Sequence, residues 1–286
     1  MFAIGQRDAH TSARMIAVTS GKGGVGKTNL SVSLSIALAQ LGKKVVLMDM
    51  DLGMANADVI LNVHYKHTLS DVISGDKHVD DIIVDASYNV KMVAGVSGDE
   101  KLANLSKAGT RRLIDALEHI HTQADYIVMD IGAGLSEHTV AMTASADDVI
   151  VVSTPEPTAM VDAYAMLKAV HNRNANTRIH VVMNMARSEK EARTAMQRMN
   201  SIAKLYATTH LEDDGFIPYD DAVGDAVRKR FPVIVKYPDS KASIAIKNIA
   251  KSLNDHVVPT VDPHVKLVED NLMTRMVSAF TGNHVI

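Results

Sequence analysis

The run Gly21-Lys-Gly-Gly-Val-Gly26-Lys27-Thr28 constrains this chain more than any other stretch. An apolar run, Met15-Ile-Ala-Val-Thr19, precedes it and reads as a buried strand. After it Leu30, Leu34, Leu38 and Leu41 recur at helical spacing, and Gly42 ends the pattern as a C′ glycine does. Strand, glycine loop, helix is the context that the phosphate-loop pattern G-x-x-x-x-G-K-[ST] needs. Glycines let successive backbone N–H groups converge on phosphate oxygens without Cβ clashes. Lys27 is spaced to reach β- and γ-phosphates, Thr28 to put a hydroxyl on Mg²⁺, and the helix adds its N-terminal dipole. A ligand-free glycine turn explains the glycines but not Lys27-Thr28 at a helix start.

The rest of the chain alternates in the same way. Strands are expected at Val45–Met48, Val90–Val93, Tyr126–Met129, Val149–Val152, Ile179–Met183 and Gly215–Ile217. Helices are expected at Thr68–Ile73, Ser106–Gln123, after Asp130, at Thr158–Asn172, Glu189–Tyr206, Ala222–Lys229 and Ser240–Leu253. Apolar strand runs without polar alternation, separated by helices, predict an α/β fold: a doubly wound, mostly parallel sheet with helices on both faces. The expected organisation is an N-terminal segment (1–14), a P-loop ATPase domain (15–254), and a linker with a tail helix (255–286).

Composition excludes several classes. The 286 residues contain no cysteine, which removes disulfides, cysteine-ligated zinc and iron–sulfur clusters. A formal net charge of −3 gives no electrostatic footprint for nucleic acid. Arg111-Arg112 and Arg228-Lys229-Arg230 read as solvated helix faces. The start, Met1 to Arg14, lacks an apolar run, and no stretch approaches the ~20 apolar residues of a membrane span; the phosphate loop's ATP chemistry suggests the cytoplasm. His64/His67 and His119/His121 have no convincing metal geometry.

Three aspartates stand where strands meet the ligand edge of an open α/β sheet. Asp49 and Asp51 close the second strand, and Asp130 closes Tyr126–Met129 before Gly132-Ala-Gly134. Carboxylates there can hold Mg²⁺ through water and orient an attacking water; each could equally cap a following turn.

The form Lys22-Gly-Gly-Val-Gly-Lys-Thr28 resembles the deviant Walker A loop of the MinD/ParA ATPases. The resemblance covers about Met15 to Leu253. It implies a homodimer when ATP is bound, with Lys22 crossing the interface to the partner's nucleotide. It makes Asp49-Met-Asp51-Leu-Gly53-Met-Ala-Asn56 a switch I, with Asp51 positioning the hydrolytic water and Asp49 holding magnesium through water. Asp130-Ile-Gly-Ala-Gly134 is then switch II, with Gly132 where the commoner form has Pro. The implied catalytic set is Asp51, Lys22 and Lys27, and the metal set Thr28, Asp49 and Asp130. The implied nucleotide set is Gly21, Lys22, Gly23, Gly24, Val25, Gly26, Lys27, Thr28 and Asn29, with Asn184 reading adenine and Pro218, Tyr219 and Asp220 lying along the base. ATP/ADP with Mg²⁺ is expected rather than GTP, because Asn184-Met-Ala-Arg187 lacks the Asp of a guanine-reading Asn-Lys-x-Asp.

Within that family, Thr154-Pro-Glu-Pro-Thr158 with Asp162-Ala-Tyr164 resembles FlhG, also called FleN, regulators of flagellar number and placement. Partners implied are flagellar assembly proteins such as FlhF or C-ring components. Gln6-Arg-Asp-Ala-His-Thr-Ser-Ala-Arg14 keeps only fragments of the FlhG element that stimulates FlhF. A MinD-like division-site regulator and a ParA-like DNA partitioner are the alternatives. Behind the linker Val257–Pro263, Val265, Val268, Leu272, Met276 and Phe280 form one apolar stripe after the N-cap pair Asp262-Pro263. Such a tail resembles a membrane-targeting helix and implies peripheral membrane contact. Its polar face mixes Lys266 and Arg275 with Glu269 and Asp270, so docking on the protein's own surface stays open.

Overall fold

In β1 (Arg14–Thr19), Met15 and Ala17 join one core layer while Ile16 and Val18 join the other. Alternate side chains of a strand point to opposite faces, so an unbroken apolar strand needs cover on both. The computed structural model describes residues 13–51, 56–95, 106–206 and 215–255. The N-terminal element, part of switch I, the linker and the tail stripe lie outside the described residues.

Eight strands form one sheet in the order β3-β4-β2-β5-β1-β6-β7-β8. These are β2 (Val45–Met50), β3 (Ile83–Ala86), β4 (Val90–Ala94), β5 (Tyr126–Ile131), β6 (Asp148–Ser153), β7 (Arg178–Ala186) and β8 (Phe216–Pro218). All pairings are parallel except β3 with β4. That edge hairpin was not expected from sequence: Asp85 interrupts the apolar run of β3, and the strand is only half-buried. Helices α3 (Leu69–Ser74), α4 (Lys107–Gln123), α5 (Glu137–Ala144), α6 (Pro157–Arg173) and α7 (Glu189–Tyr206) cover one face. Helices α1 (Lys27–Gln40), α2 (Ala57–Leu61), α8 (Asp221–Arg228), α9 (Val233–Lys236) and α10 (Lys241–Asp255) cover the other.

Helix α1 is buried along nearly its whole circumference, not on the one stripe its leucines suggested. Packing against both the sheet and α10 accounts for this. Its buried hydroxyls are satisfied locally, as Ser31 Oγ donates to the Lys27 carbonyl at 3.1 Å and Ser35 Oγ to that of Ser31 at 2.8 Å. Leu41, the last leucine of the pattern, sits at the C-cap and is 45% exposed. No helix among the described residues is long and apolar enough to cross a membrane.

The amino ends of β1, β6 and β7 are joined by one buried charge, Asp148. Arg14 donates to it through Nε at 2.6 Å and Nη2 at 2.9 Å, and Arg178 through Nε at 2.8 Å and Nη2 at 3.0 Å. His180 Nε2 lies 3.0 Å from the same carboxylate. Burial alone raises an aspartate pKa, but the hydrogen bonds of His180, Arg14 and Arg178 and the charge of Arg14 outweigh it and hold Asp148 well below the usual carboxylate range. Arg14 also donates to the Leu253 carbonyl, so the same guanidinium ties the last turn of α10 to the sheet.

Asp148→Asn leaves two guanidinium groups facing a neutral amide. The expected loss in unfolding free energy is about 3–5 kcal/mol, measured by urea unfolding at neutral pH. Because the folded pKa is depressed, the contribution is complete above the ordinary Asp value of about 4 and disappears in acid. A mutant with the wild-type urea midpoint would show that the network contributes nothing.

Candidate nucleotide site

Between β1 and α1 the chain makes an open loop whose shape depends on its glycines. Gly24 and Gly26 have φ of +80° and +96°, the left-handed region that side chains disfavour. Gly26 is the N-cap of α1 and supplies no side-chain cap, so the first N–H groups of the helix face the loop. Gly21 is required for a different reason. A Cβ there would stand 2.2 Å from the carbonyl oxygen of Asp162 on α6. Ser20 Oγ donates to the Lys22 carbonyl at 2.7 Å, and Gly134 N–H donates to the Ser20 carbonyl at 3.1 Å, which joins the loop to the turn after β5.

Parallel pairing of β2 with β5 sets Asp49 beside Asp130 in register. Both are buried, at 4% and 1% exposure. Asp130 Oδ1 accepts the Ser31 hydroxyl at 2.8 Å, and Thr28 hydrogen-bonds the same carboxylate. Asp130 Oδ2 is buried with no hydrogen-bond partner among the described residues. Burial pushes the Asp130 pKa up, against the Thr28 hydrogen bond and the Lys27 charge. For Asp49, burial and then the charge of Asp130 push the pKa up to about 7, although Asp51 N–H and Ala57 N–H each donate to it at 3.2 Å. Asp51 is half-buried, with its carboxylate beside Gly132: a Cβ on Gly132 would lie 3.3 Å from Asp51 Oδ1.

This donor set fits a hard divalent cation. Buried acceptor-only oxygens, one without a partner, stand next to a threonine hydroxyl and a buried Lys27. Thr19 Oγ1 and Thr154 Oγ1, just beyond or at the carboxyl ends of β1 and β6, are also buried without partners among the described residues. Sequence reading missed them. Their signal was a polar residue at the end of each apolar strand and, for Thr154, its place in Thr154-Pro-Glu-Pro-Thr158.

Lys22 is exposed and is held on its own chain. Its Nζ lies 3.3 Å from Glu156 Oε2 and 3.4 Å from Thr158 Oγ1, at the start of α6.

A cavity of about 480 Å³ opens beside Gly26 and Asn29. It brings together the expected residues Asn184, Pro218, Tyr219 and Asp220 with Met185, Val223, Gly224 and Val227, which sequence reading did not assign to the site, and with Arg228, which it read as part of a solvated helix face. Two expected side chains are engaged in structure rather than open to the cavity. Asn184 Nδ2 donates to the Val25 carbonyl at 2.7 Å, and its Oδ1 accepts Met185 N–H at 2.9 Å. A bulge in β7 between Met183 and Ala186, with Met185 at φ +59°, makes that geometry possible. Asp220 caps two helices, accepting from Ala222 N–H at 3.0 Å and Ala242 N–H at 3.1 Å.

A mostly parallel sheet carrying this loop, with aspartates from the paired strands β2 and β5 at the same edge, defines the P-loop NTPase class in its deviant Walker A form. A family model described as an AAA domain matches residues 13–183. The antiactivator FleN of Pseudomonas aeruginosa is 39% identical over 246 residues, covering 86% of this chain and 88% of that protein. The flagellum site-determining protein YlxH of Helicobacter pylori is 34% identical over 244 residues, covering 85% and 82%. The septum site-determining protein MinD of Pyrococcus horikoshii, solved with Mg-ADP, superposes with a TM-score of 0.69 at 28% identity, covering 85% of this chain and 96% of that one. The chain belongs to the FleN/FlhG family of MinD/ParA-type ATPases.

Gly21→Ala drives a methyl group into the Asp162 carbonyl, so either the loop or α6 must shift. Overpacking of this kind costs about 1–3 kcal/mol, and displacement of the loop is expected to weaken Mg·ADP binding about tenfold or more. Calorimetric titration checks it; wild-type affinity would mean that the loop position does not depend on α6.

Proposed function

We propose that this chain is an ATP-dependent dimerising switch with slow Mg²⁺-dependent ATP hydrolysis, acting on flagellar number or placement. The observation that carries the reading is the meeting of the Gly21–Thr28 loop with Asp49, Asp51 and Asp130 at one sheet edge. The similarity to an antiactivator FleN and to a flagellum site-determining YlxH supports the flagellar part. The Mg-ADP complex of a MinD supports the nucleotide and the metal.

In this reading the loop amides and Lys27 take the phosphates. Thr28 supplies a hydroxyl to Mg²⁺, while Asp49 and Asp130 hold its waters. Bound magnesium neutralises charge on the phosphate oxygens. Asp51 orients the attacking water, which a half-buried carboxylate beside a bare Gly132 can do without steric hindrance. Lys22 leaves Glu156 and Thr158 and reaches the nucleotide of a second copy, as an arginine finger does. FlhF and C-ring components are the partners that fit a FlhG-type switch, and the apolar stripe of residues 265–280 is a peripheral membrane anchor released in the dimer.

Asp51→Ala is expected to bind ATP with near wild-type affinity, to lose turnover and to accumulate as an ATP dimer. Lys22→Ala is expected to bind nucleotide yet neither dimerise nor hydrolyse. Phosphate release and light scattering measure both; an active Asp51 variant, or a normally dimerising Lys22 variant, would overturn these roles. For the tail, co-sedimentation with anionic liposomes under ATP should retain the full chain and lose a chain ending at Leu253. Two weak anchors in one dimer bind far more than twice as strongly as one. Equal pelleting would assign the tail to the protein's own surface.

A further inference from the structure

Helix α8 presents Val223, Gly224, Val227 and Arg228 to the cavity beside Gly26 and Asn184. These positions are three, four, seven and eight residues beyond the N-cap Asp220, so they form one helical stripe. Arg228 is the only cation on that stripe, and sequence alone read it as part of a solvated basic face.

Three observations separate it from its neighbours in the Arg228-Lys229-Arg230 run. Lys229 Nζ is engaged with Asp225 Oδ2 at 2.9 Å, and Tyr237 donates its hydroxyl to the same oxygen. Arg228 comes no nearer than 3.8 Å to Asp225 Oδ1, too far for a hydrogen bond, and its side chain is 74% exposed. Its Nη1 stands 3.5 Å from where a Cβ of Gly224 would be, so it lies back along the bare turn on the cavity side.

From this we propose that Arg228 is the outer wall of the base site, its guanidinium plane stacking on the purine ring of the bound nucleotide. The inference rests on the nucleotide reading above and adds a specificity-determining residue to it. A guanidinium is planar, weakly hydrated and stacks on aromatic faces, which an ammonium cannot do. Val223 and Val227 supply the apolar floor that such a stack needs, and Val227 is 41% exposed. A purine offers more ring area than a pyrimidine, so the stack favours adenine nucleotides over cytosine nucleotides.

Calorimetric titration with Mg²⁺ and ADP, CDP or pyrophosphate, on the full chain, tests this with wild type, Arg228→Ala and Arg228→Lys. ADP binding is expected to weaken about three- to tenfold in both variants, because Lys keeps the charge but not the plane. CDP should weaken less, narrowing the preference for ADP, and pyrophosphate should bind all three proteins equally. Unchanged ADP affinity in Arg228→Ala overturns the proposal. So does full rescue by lysine, or a loss for pyrophosphate equal to that for ADP, since either makes Arg228 a charge for phosphate. If the wild-type chain binds pyrophosphate but not ADP, the base site fails while the phosphate loop stands. If it binds neither, the nucleotide reading itself falls.

Discussion

Everything at the ligand edge depends on one electrostatic conflict. Parallel pairing of β2 with β5 puts Asp49 and Asp130 side by side in a place with almost no water. Two buried carboxylates cannot both stay ionised without a counter-charge, and the protein supplies only part of one. Lys27 is buried and acts on Asp130, while Ser31 and Thr28 offer hydrogen bonds. The remaining demand appears as the raised pKa of Asp49 and the unpartnered Oδ2 of Asp130. A site left under-satisfied at the end of a well-packed sheet is one whose missing component comes from outside the chain.

The opposite edge of the same sheet shows what a closed solution looks like. Asp148 is as buried as Asp130, but two bidentate arginines and His180 occupy its lone pairs, and its pKa moves down rather than up. The contrast lies in the partners, not in the burial. At the amino edge the charges are matched within the chain and serve to hold β1, β6, β7 and α10 together. At the carboxyl edge they are left open around the phosphate loop.

The fold was legible in the sequence where local rules decide it. Helices α3 and α4 begin where expected, behind the N-caps Thr68 and Ser106, and the strand positions follow the apolar runs because both faces of the sheet are covered. The loop Gly21–Thr28 was legible for the same reason, since its spacing is contained within eight residues. What escaped were features made by chain segments far apart in sequence. The β3–β4 hairpin has a broken apolar pattern, and the bulge that turns Met185 to positive φ leaves no local mark. Asp220 reads as a ligand from its segment but is a shared cap of α8 and α10, visible only when the two helix starts are seen together. Arg228 reads as one charge among three until the cavity beside it is known.

The phosphate loop is therefore not an autonomous motif carried by its own glycines. Its first glycine is fixed by contact with α6, its middle by the Asn184 amide on Val25, and its start by Gly134 in the turn after β5. Each contact comes from a different strand–helix unit: β6 with α6, β7 with its bulge, and β5 with the turn after it. Gly26 shows how tight the fit is, since a Cβ there would meet Asn184 Nδ2 at 2.3 Å. Glycine in such a loop does two separate things. At Gly24 and Gly26 it permits a backbone conformation; at Gly21 and Gly26 it permits neighbours to approach. The second requirement couples the loop to elements that carry Lys22's present partners, Glu156 and Thr158, at the start of α6. The same helix thus contacts the phosphate loop through Gly21 and the lysine through its ion pair.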